Sequence, residues 1–190
     1  MKHNVKNKKI SILLPNLGGG GAEKNYSMLA NFWVKKGYKI EFVLLKKEGI
    51  FIKTLDKSIS FYNLNVSKYR YVFFPLLKYL FFNKSDLIIV NLWPLTFLTL
   101  LINFFLLNKN KIIAHDHQIL SKSYSKEFNN YRSYLSISIK LTYKFSKGII
   151  AVSNSVKNDL IKLGVKKNII KVINNPIEIK TKKNITINQS

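Results

Sequence analysis

The sequence predicts an α/β domain in which a parallel sheet is covered by helices on both faces, and three features carry that prediction. Short apolar runs alternate with segments of helical spacing along most of the chain. Several of those runs, LIIVNL at 87–92 among them, are apolar on both sides, as strands buried in a parallel sheet must be. At 190 residues with 47% hydrophobic side chains, the chain is long enough for one domain with a full core and too short for two ordinary ones.

The first strand is KISILL at 9–14, which runs into Pro15, Asn16, Leu17 and the four glycines Gly18 to Gly21. Helical spacing through Tyr26, Leu29, Ala30 and Trp33 then predicts a helix over 22–36, with Gly37 closing it and KIEFVLL at 39–45 forming a second strand. A short strand at 60–64 follows, then an aromatic-rich helix between 69 and 82, bent or begun at Pro75. The alternation continues with strand 87–92, helix 94–107, strand 111–115, a loop, helix 131–145, strand 148–152, helix 156–163 and a strand at 170–173. The domain is expected to occupy 1–178, and the polar, weakly patterned residues 179–190 to form a tail or the start of a linker.

One stretch competes with this reading. Residues 87–107 carry no charge and reach the roughly 20 residues that a membrane-spanning helix requires. Asn91, Trp93 and Pro94 interrupt the run, however, and favour a buried strand, a turn, and a helix with proline near its start. The basic N-terminus is followed by an apolar run too short for a signal peptide, so the protein is expected not to be exported. With no cysteine there is neither a disulfide nor a thiolate metal site, which is compatible with a cytoplasmic protein.

Lys and Arg number 32 against 9 Asp and Glu, a formal charge of +23 that attracts phosphates, nucleic acid or an anionic membrane surface. A composition rich in Lys, Asn and Ile can also arise from biased codon usage without selection for any partner. No zinc finger, RRM or other nucleic-acid motif accompanies the charge, so specific nucleic-acid binding is not expected.

Three groups of residues can carry chemistry. The loop Gly18-Gly19-Gly20-Gly21-Ala22-Glu23 lies between the first strand and the first helix, where open amides and the positive helix end meet an anionic or hydroxyl-rich ligand. Glu23 stands where a dinucleotide fingerprint needs its third glycine, and no Gly-Lys-Ser/Thr follows, so NAD and ATP lose ground. The alternative is a tight turn whose Glu23 stabilises the helix start. His115-Asp116-His117 ends a predicted strand, with both histidines on one side by alternation. Two histidines without a third suitable ligand nearby do not make a zinc site, so no metal is expected. Hydrogen bonding to a sugar or phosphate and a loop histidine satisfied by backbone both remain open. Ser153-Asn154-Ser155 is suited to cap the helix that follows and lacks the Gly-x-Ser-x-Gly setting of a nucleophile, while Asn175-Pro176 is a turn signal.

Taken together, KISILLPNLGGGGAEKNYSMLANFWVKKGYKIEFV and GIIAVSNSVKNDLIKLGVKKNIIKVINNPIE resemble the two ends of the N-terminal domain of family 4, the retaining bacterial glycosyltransferases of GT-B type. The resemblance implies a Rossmann-like sheet forming the acceptor-side half of a two-domain enzyme. It implies a nucleotide-sugar as donor substrate, a glycan or lipid-linked acceptor in lipopolysaccharide, capsule or related synthesis, and no cofactor or metal. By the same carry-over Gly19, Gly20 and Gly21 lie beside the donor's phosphates, Glu23 near the acceptor or the cleft, His117 against the transferred sugar as the catalytic residue, and Asn175 on the hinge side. Asp116 and Ser153 complete the candidate binding residues. Because the residues that hold the donor belong to the other half, the chain is expected to be inactive alone. The alternatives are a basic partner on the inner face of the cell membrane, seated through aromatics such as Tyr69, Tyr71, Phe73 and Phe74, and a nucleic-acid-binding domain.

Overall fold

The computed structural model describes residues 7–123 and 131–176. Within them, the strands are β1 (Lys9–Leu14), β2 (Lys39–Leu44), β3 (Ser60–Asn63), β4 (Leu87–Asn91), β5 (Ile112–Asp116), β6 (Gly148–Ala151) and β7 (Ile170–Val172). The helices are α1 (Gly21–Lys35), α2 (Phe73–Phe82), α3 (Leu95–Phe105), α4 (Leu120–Ser123), α5 (Tyr131–Thr142) and α6 (Asn154–Lys162). The domain end expected at 178 and the tail at 179–190 lie outside the described residues.

All strands pair in parallel, in the order β3-β2-β1-β4-β5-β6-β7. The chain therefore walks outward from β1 in one direction, then returns and walks the other way from β4. Parallel crossovers are right-handed, so reversing the direction moves the helices to the opposite face. One face is accordingly covered by α1 and a 3-10 turn, Ile50–Thr54, over a core of Ile12, Leu14, Tyr26, Ala30, Phe42 and Leu44. The other carries α2, α3, α5 and α6 over Leu13, Val43, Ile88, Val90, Ile112, Ala114 and Ile149. The point of reversal, between β1 and β4, opens a crevice at the strands' C-terminal ends, where ligands of such sheets bind.

The uncharged stretch resolves as β4, a turn and α3, and among the described residues no helix is long and apolar enough to cross a membrane. Several boundaries differ from expectation. The helix over 22–36 starts at Gly21; the one over 94–107 starts at Leu95, with Pro94 as its cap, and ends at Phe105; the one over 131–145 stops at Thr142 and tightens into a 3-10 turn, Tyr143–Phe145. The helix placed at 156–163 begins at Asn154 because the Ser153 hydroxyl accepts the Val156 N–H at 3.2 Å and fixes the first turn. Pro75 falls in the first turn of α2, where its missing N–H costs no helix bond.

Candidate functional site

The glycine loop is anchored from below. Leu17 is fully buried; its N–H donates to Glu48 O at 2.9 Å and its carbonyl accepts from Phe51 N at 3.2 Å, binding the loop after β1 to the one after β2. That contact requires Gly49, whose φ is +129° and where a Cβ would stand 1.9 Å from the Leu17 carbonyl oxygen. Above the anchor, Gly18 N–H turns onto Asn16 Oδ1 at 2.9 Å. Gly19 and Gly21 face open space, where a Cβ on either would meet no atom within 4 Å. At Gly20 the Glu23 carboxylate folds back instead, so close that a Cβ would lie 2.1 Å from Glu23 Oε2. A carboxylate over the first turn of α1 complements the positive helix end. Tyr69 lies near it: burial, and then the Glu23 charge, push the Tyr69 hydroxyl up from its ordinary range.

One turn along α1 from Glu23, Tyr26 is directed under the helix and is 1% exposed. Its hydroxyl is hydrogen-bonded to His115 Nδ1, and its ring packs edge-on against both His115 and His117. The two imidazoles, kept on one side by alternation at the end of β5, lie 4.1 Å apart between centroids. Asn91, opposite His115 in the β4–β5 register and fully buried, faces the Tyr26 hydroxyl closely enough to lower its pKa, without the alignment of a full hydrogen bond. Both amide atoms of Asn91, Nε2 of His115 and both ring nitrogens of His117 are buried and lack a well-formed hydrogen bond. Buried polar atoms are normally satisfied, so several unsatisfied ones gathered at the C-terminal ends of β4 and β5 single this place out for polar contact with a ligand.

Burial, with His117 alongside, drives His115 down to about 3, and burial alone drives His117 down to about 4. Both rings are therefore neutral at physiological pH, each with one N–H and one lone pair. Burial also raises the Tyr26 hydroxyl far above its ordinary value, so it keeps its proton. When that hydroxyl donates to His115 Nδ1, Nε2 presents an N–H; when it accepts, Nε2 presents a lone pair. Neutral donors and acceptors of this kind match the hydroxyls of a sugar better than the charge of a diphosphate.

A glycine loop, a helix N-terminus and a neutral histidine pair thus gather at the C-terminal ends of the strands, and the family described as Glycosyltransferase Family 4 matches residues 19–181. The chain belongs to glycosyltransferase family 4. No curated protein matches it. Among solved structures it is similar to HepE from Anabaena bound to UDP-glucose, with a TM-score of 0.68 and 21% identity, over 90% of this chain and 44% of HepE. It is also similar to the lipopolysaccharide outer core galactosyltransferase WaaB, at TM-score 0.62 and 15% identity over 91% of this chain and 47% of WaaB. A glycosyltransferase from Rickettsia africae gives 0.59 and 22% over 88% of this chain and 43% of its own. The family 4 chain thus spans less than half the length of these structures. Its sheet is Rossmann-like and corresponds to the N-terminal half of a GT-B fold.

Of the residues expected to act in this family 4 domain, the structure gathers Gly19, Gly20, Gly21 and Glu23 on the loop and first turn of α1. His117 lies beside Tyr26, further along the same helix. Asp116 is separated from them: alternation turns it to the opposite face, where it is 1% exposed and accepts from Tyr143 Oη at 3.2 Å. Burial, reinforced by the Asp159 charge, raises it to about 7 against the pull of Tyr143. Ser153 is engaged as the cap of α6, and Asn175 is half-buried, just beyond β7. Among the described residues no group of three or more His, Cys, Asp or Glu is arranged to hold a metal. Sequence reasoning passed over Tyr26 and Asn91, which complete the histidine pocket, and Gly49, which supports the loop. The pairing of Asn91 with His115 follows from strand order, which no local pattern reveals. A cavity of about 670 Å³ between α5 and the 164–169 segment is lined by Ile139, Leu141 and Val165 and lies on the other face, away from the histidines.

Proposed function

We propose that this domain is the acceptor-side half of a retaining glycosyltransferase, moving a sugar from a nucleotide-sugar to a glycan or lipid-linked acceptor in surface polysaccharide synthesis. The observation that carries the reading is the group of unsatisfied buried atoms on Asn91, His115 and His117 at the C-terminal edge of the sheet, beside the open glycine loop. The relatives support the substrate class: HepE is a structure with UDP-glucose bound, and WaaB is named as a galactosyltransferase of lipopolysaccharide.

In this reading the loop amides near Gly19 and Gly21 and the start of α1 face the donor's diphosphate, and helix ends and basic side chains rather than a metal balance its charge. His117, neutral and with both nitrogens unsatisfied within the fold, hydrogen-bonds the sugar being transferred. The acceptor oxygen forms its bond to the anomeric carbon on the face the nucleotide leaves. The carbon–oxygen bond to the diphosphate breaks with its electron pair, and a diphosphate oxygen takes the acceptor's proton. Binding and orientation are the domain's contribution, and turnover requires a donor-binding half, whichever polypeptide carries it.

The test is a titration of the isotopically labelled chain with UDP-glucose and, separately, with short oligosaccharides, followed through histidine ring and backbone amide resonances. Shifts concentrated at His115, His117 and Gly19 to Gly21 support the reading. Shifts absent there with every sugar ligand, in a folded sample, refute it.

A further inference from the structure

At the end of the sheet remote from the histidines, three connections lie side by side, because β4, β5 and β6 are neighbours and each is entered from a helix on the same face. Each has the same composition, exposed or half-buried apolar residues followed by lysines: Phe81 and Phe82 at the end of α2, then Lys84; Phe104 and Phe105 at the end of α3, then Leu107, Lys109 and Lys111; Phe145 and Lys147 after α5. They form one continuous surface. Lys109 Nζ sits 5.0 Å over the Phe81 ring and donates to the Phe81 carbonyl; Asn83 Nδ2 donates to Asn110 Oδ1 at 3.0 Å; Phe104 stacks on Phe145 at 4.4 Å.

The most exposed of these residues sits on a turn held by side-chain hydrogen bonds. Leu107 is 91% exposed on a turn where it and Asn108 both have positive φ, a region unfavourable for leucine. The turn is nevertheless fixed, because Asn103 and Asn110, both buried, cross-link it through Asn103 Nδ2 to Asn110 O and Asn110 N to Asn103 Oδ1, each at 3.0 Å. Phe105, at the end of the same helix, and Phe82, at the end of α2, are each 69% exposed. Holding an aliphatic tip and the adjacent Phe105 in water on a fixed turn adds nothing to the core. Among the described residues Asp86 is the exposed carboxylate in these connections, set against exposed Lys84, Lys109, Lys111, Lys144 and Lys147.

We propose that this edge seats on an anionic lipid bilayer, with Phe82, Phe105 and Leu107 entering the headgroup–acyl boundary and the surrounding lysines meeting acidic headgroups. Aromatics and an aliphatic tip ringed by one sign of charge match such an interface, and lysine stems bury their methylenes while the ammonium stays in water. A protein partner of ordinary composition has no comparable reason to present acidic groups on every side of an apolar centre. The surface differs from the one expected from sequence: Tyr69, Tyr71, Phe73 and Phe74 lie at the opposite end of α2, where Tyr69 is near Glu23. It is independent of glycosyl transfer and stands or falls without it.

The experiment is co-sedimentation of the full chain with vesicles of equal parts phosphatidylcholine and phosphatidylglycerol, with pure phosphatidylcholine as the comparison. Expected are binding to the anionic vesicles alone, loss at high salt, and about tenfold weaker binding for the double variant F105S/L107S. Binding of Y71S/F74S, altered at the other end of α2, stays at the wild-type level. The L107W variant reports directly, its fluorescence shifting to the blue on anionic vesicles. Because these side chains are exposed, all variants keep the wild-type circular dichroism. No binding of the wild type, undiminished binding of F105S/L107S, or a lipid-free dimer broken by L107S would each overturn the proposal, the last by assigning the surface to a second copy.

Discussion

The Tyr26 hydroxyl is hydrogen-bonded to His115 Nδ1, joining the middle of the first helix to the end of the fifth strand beneath the crevice. Both groups are buried, so the bond fixes the ring plane of His115 and, through the 4.1 Å contact, the space left to His117. Tyr26→Phe keeps the packing and removes only the hydroxyl, leaving Nδ1 without a partner in a dry site. The expected loss is about 1–3 kcal/mol in urea unfolding. A second readout separates positioning from stability: the histidine nitrogen resonances of the variant should report a changed His115 tautomer balance. An unchanged spectrum would mean that the hydroxyl does not set the ring's proton.

Stability should depend on pH with two opposed contributions. His115 and His117 have folded-state values of about 3 and 4, below the ordinary 6.5, so the unfolded chain binds protons that the folded one refuses. Their stabilisation is present above pH 6.5 and is lost as pH falls through 4 and 3. Asp116 behaves the other way. Raised from 3.8 to about 7, it holds a proton in the folded state that the unfolded chain has released, so its contribution is present below pH 3.8 and is lost as pH rises through 7. Two histidines outweigh one carboxylate between pH 4 and 6.5, and unfolding free energy there should rise with pH. Asp116→Asn should steepen that rise by removing the opposing contribution, while His117→Gln should flatten it. Urea titrations across the range decide both.

Glycines in and under the loop should separate support from contact. Gly49→Ala places a Cβ against the Leu17 carbonyl in a backbone conformation that alanine avoids, and should cost at least about 2 kcal/mol. Gly21→Ala meets nothing within 4 Å at a helix start and should change stability by less than about 1 kcal/mol. If Gly21→Ala nevertheless weakens UDP-glucose binding, the loop backbone approaches the ligand; thermal melts and titrations on the two variants make the comparison.

Much of this arrangement was legible in the residues. Apolar runs and glycine punctuation located the strands, and alternation placed both histidines on one side. The same alternation turns Asp116 away, because a strand gives successive residues to opposite faces. What local patterns lacked was partnership at long range. Asn91 reads locally as a polar break in an apolar run, and its place beside His115 depends on β4 and β5 being neighbours. Tyr26 reads as one apolar position of α1, and Gly49 as an ordinary loop glycine until Leu17 is packed against it. Helix ends shifted by one to three residues because caps, such as the Ser153 hydroxyl on Val156 N–H, depend on side-chain geometry.

Ser153 distinguishes a structural role from a ligand-binding one. Its hydroxyl already accepts the Val156 N–H, so Ser153→Ala should cost about 1 kcal/mol by exposing an unsatisfied amide at the start of α6. Ser153→Asp retains an acceptor at the cap and adds a charge favourable to the helix end, and should restore most of that stability. Sugar or nucleotide binding that falls in Ser153→Ala beyond what unfolding explains would return the residue to the binding site.

His117→Ala is the decisive variant for the reaction. The ring is neutral and its two nitrogens lack a well-formed bond within the fold, so its removal breaks no internal hydrogen bond and should leave the melting curve close to wild type. In an enzyme assembled from this chain and a donor-binding half, transfer should fall by about 10²–10³-fold, the usual loss when a preorganised hydrogen-bonding group is removed from a developing charge. His117→Gln, which keeps a donor and an acceptor at similar reach, should recover part of the rate. Since burial holds His117 at about 4, its protonation should not limit the rate until pH approaches that value. Wild-type turnover in a folded His117→Ala enzyme would remove the residue from the site and leave His115 and Asn91 to account for the pocket.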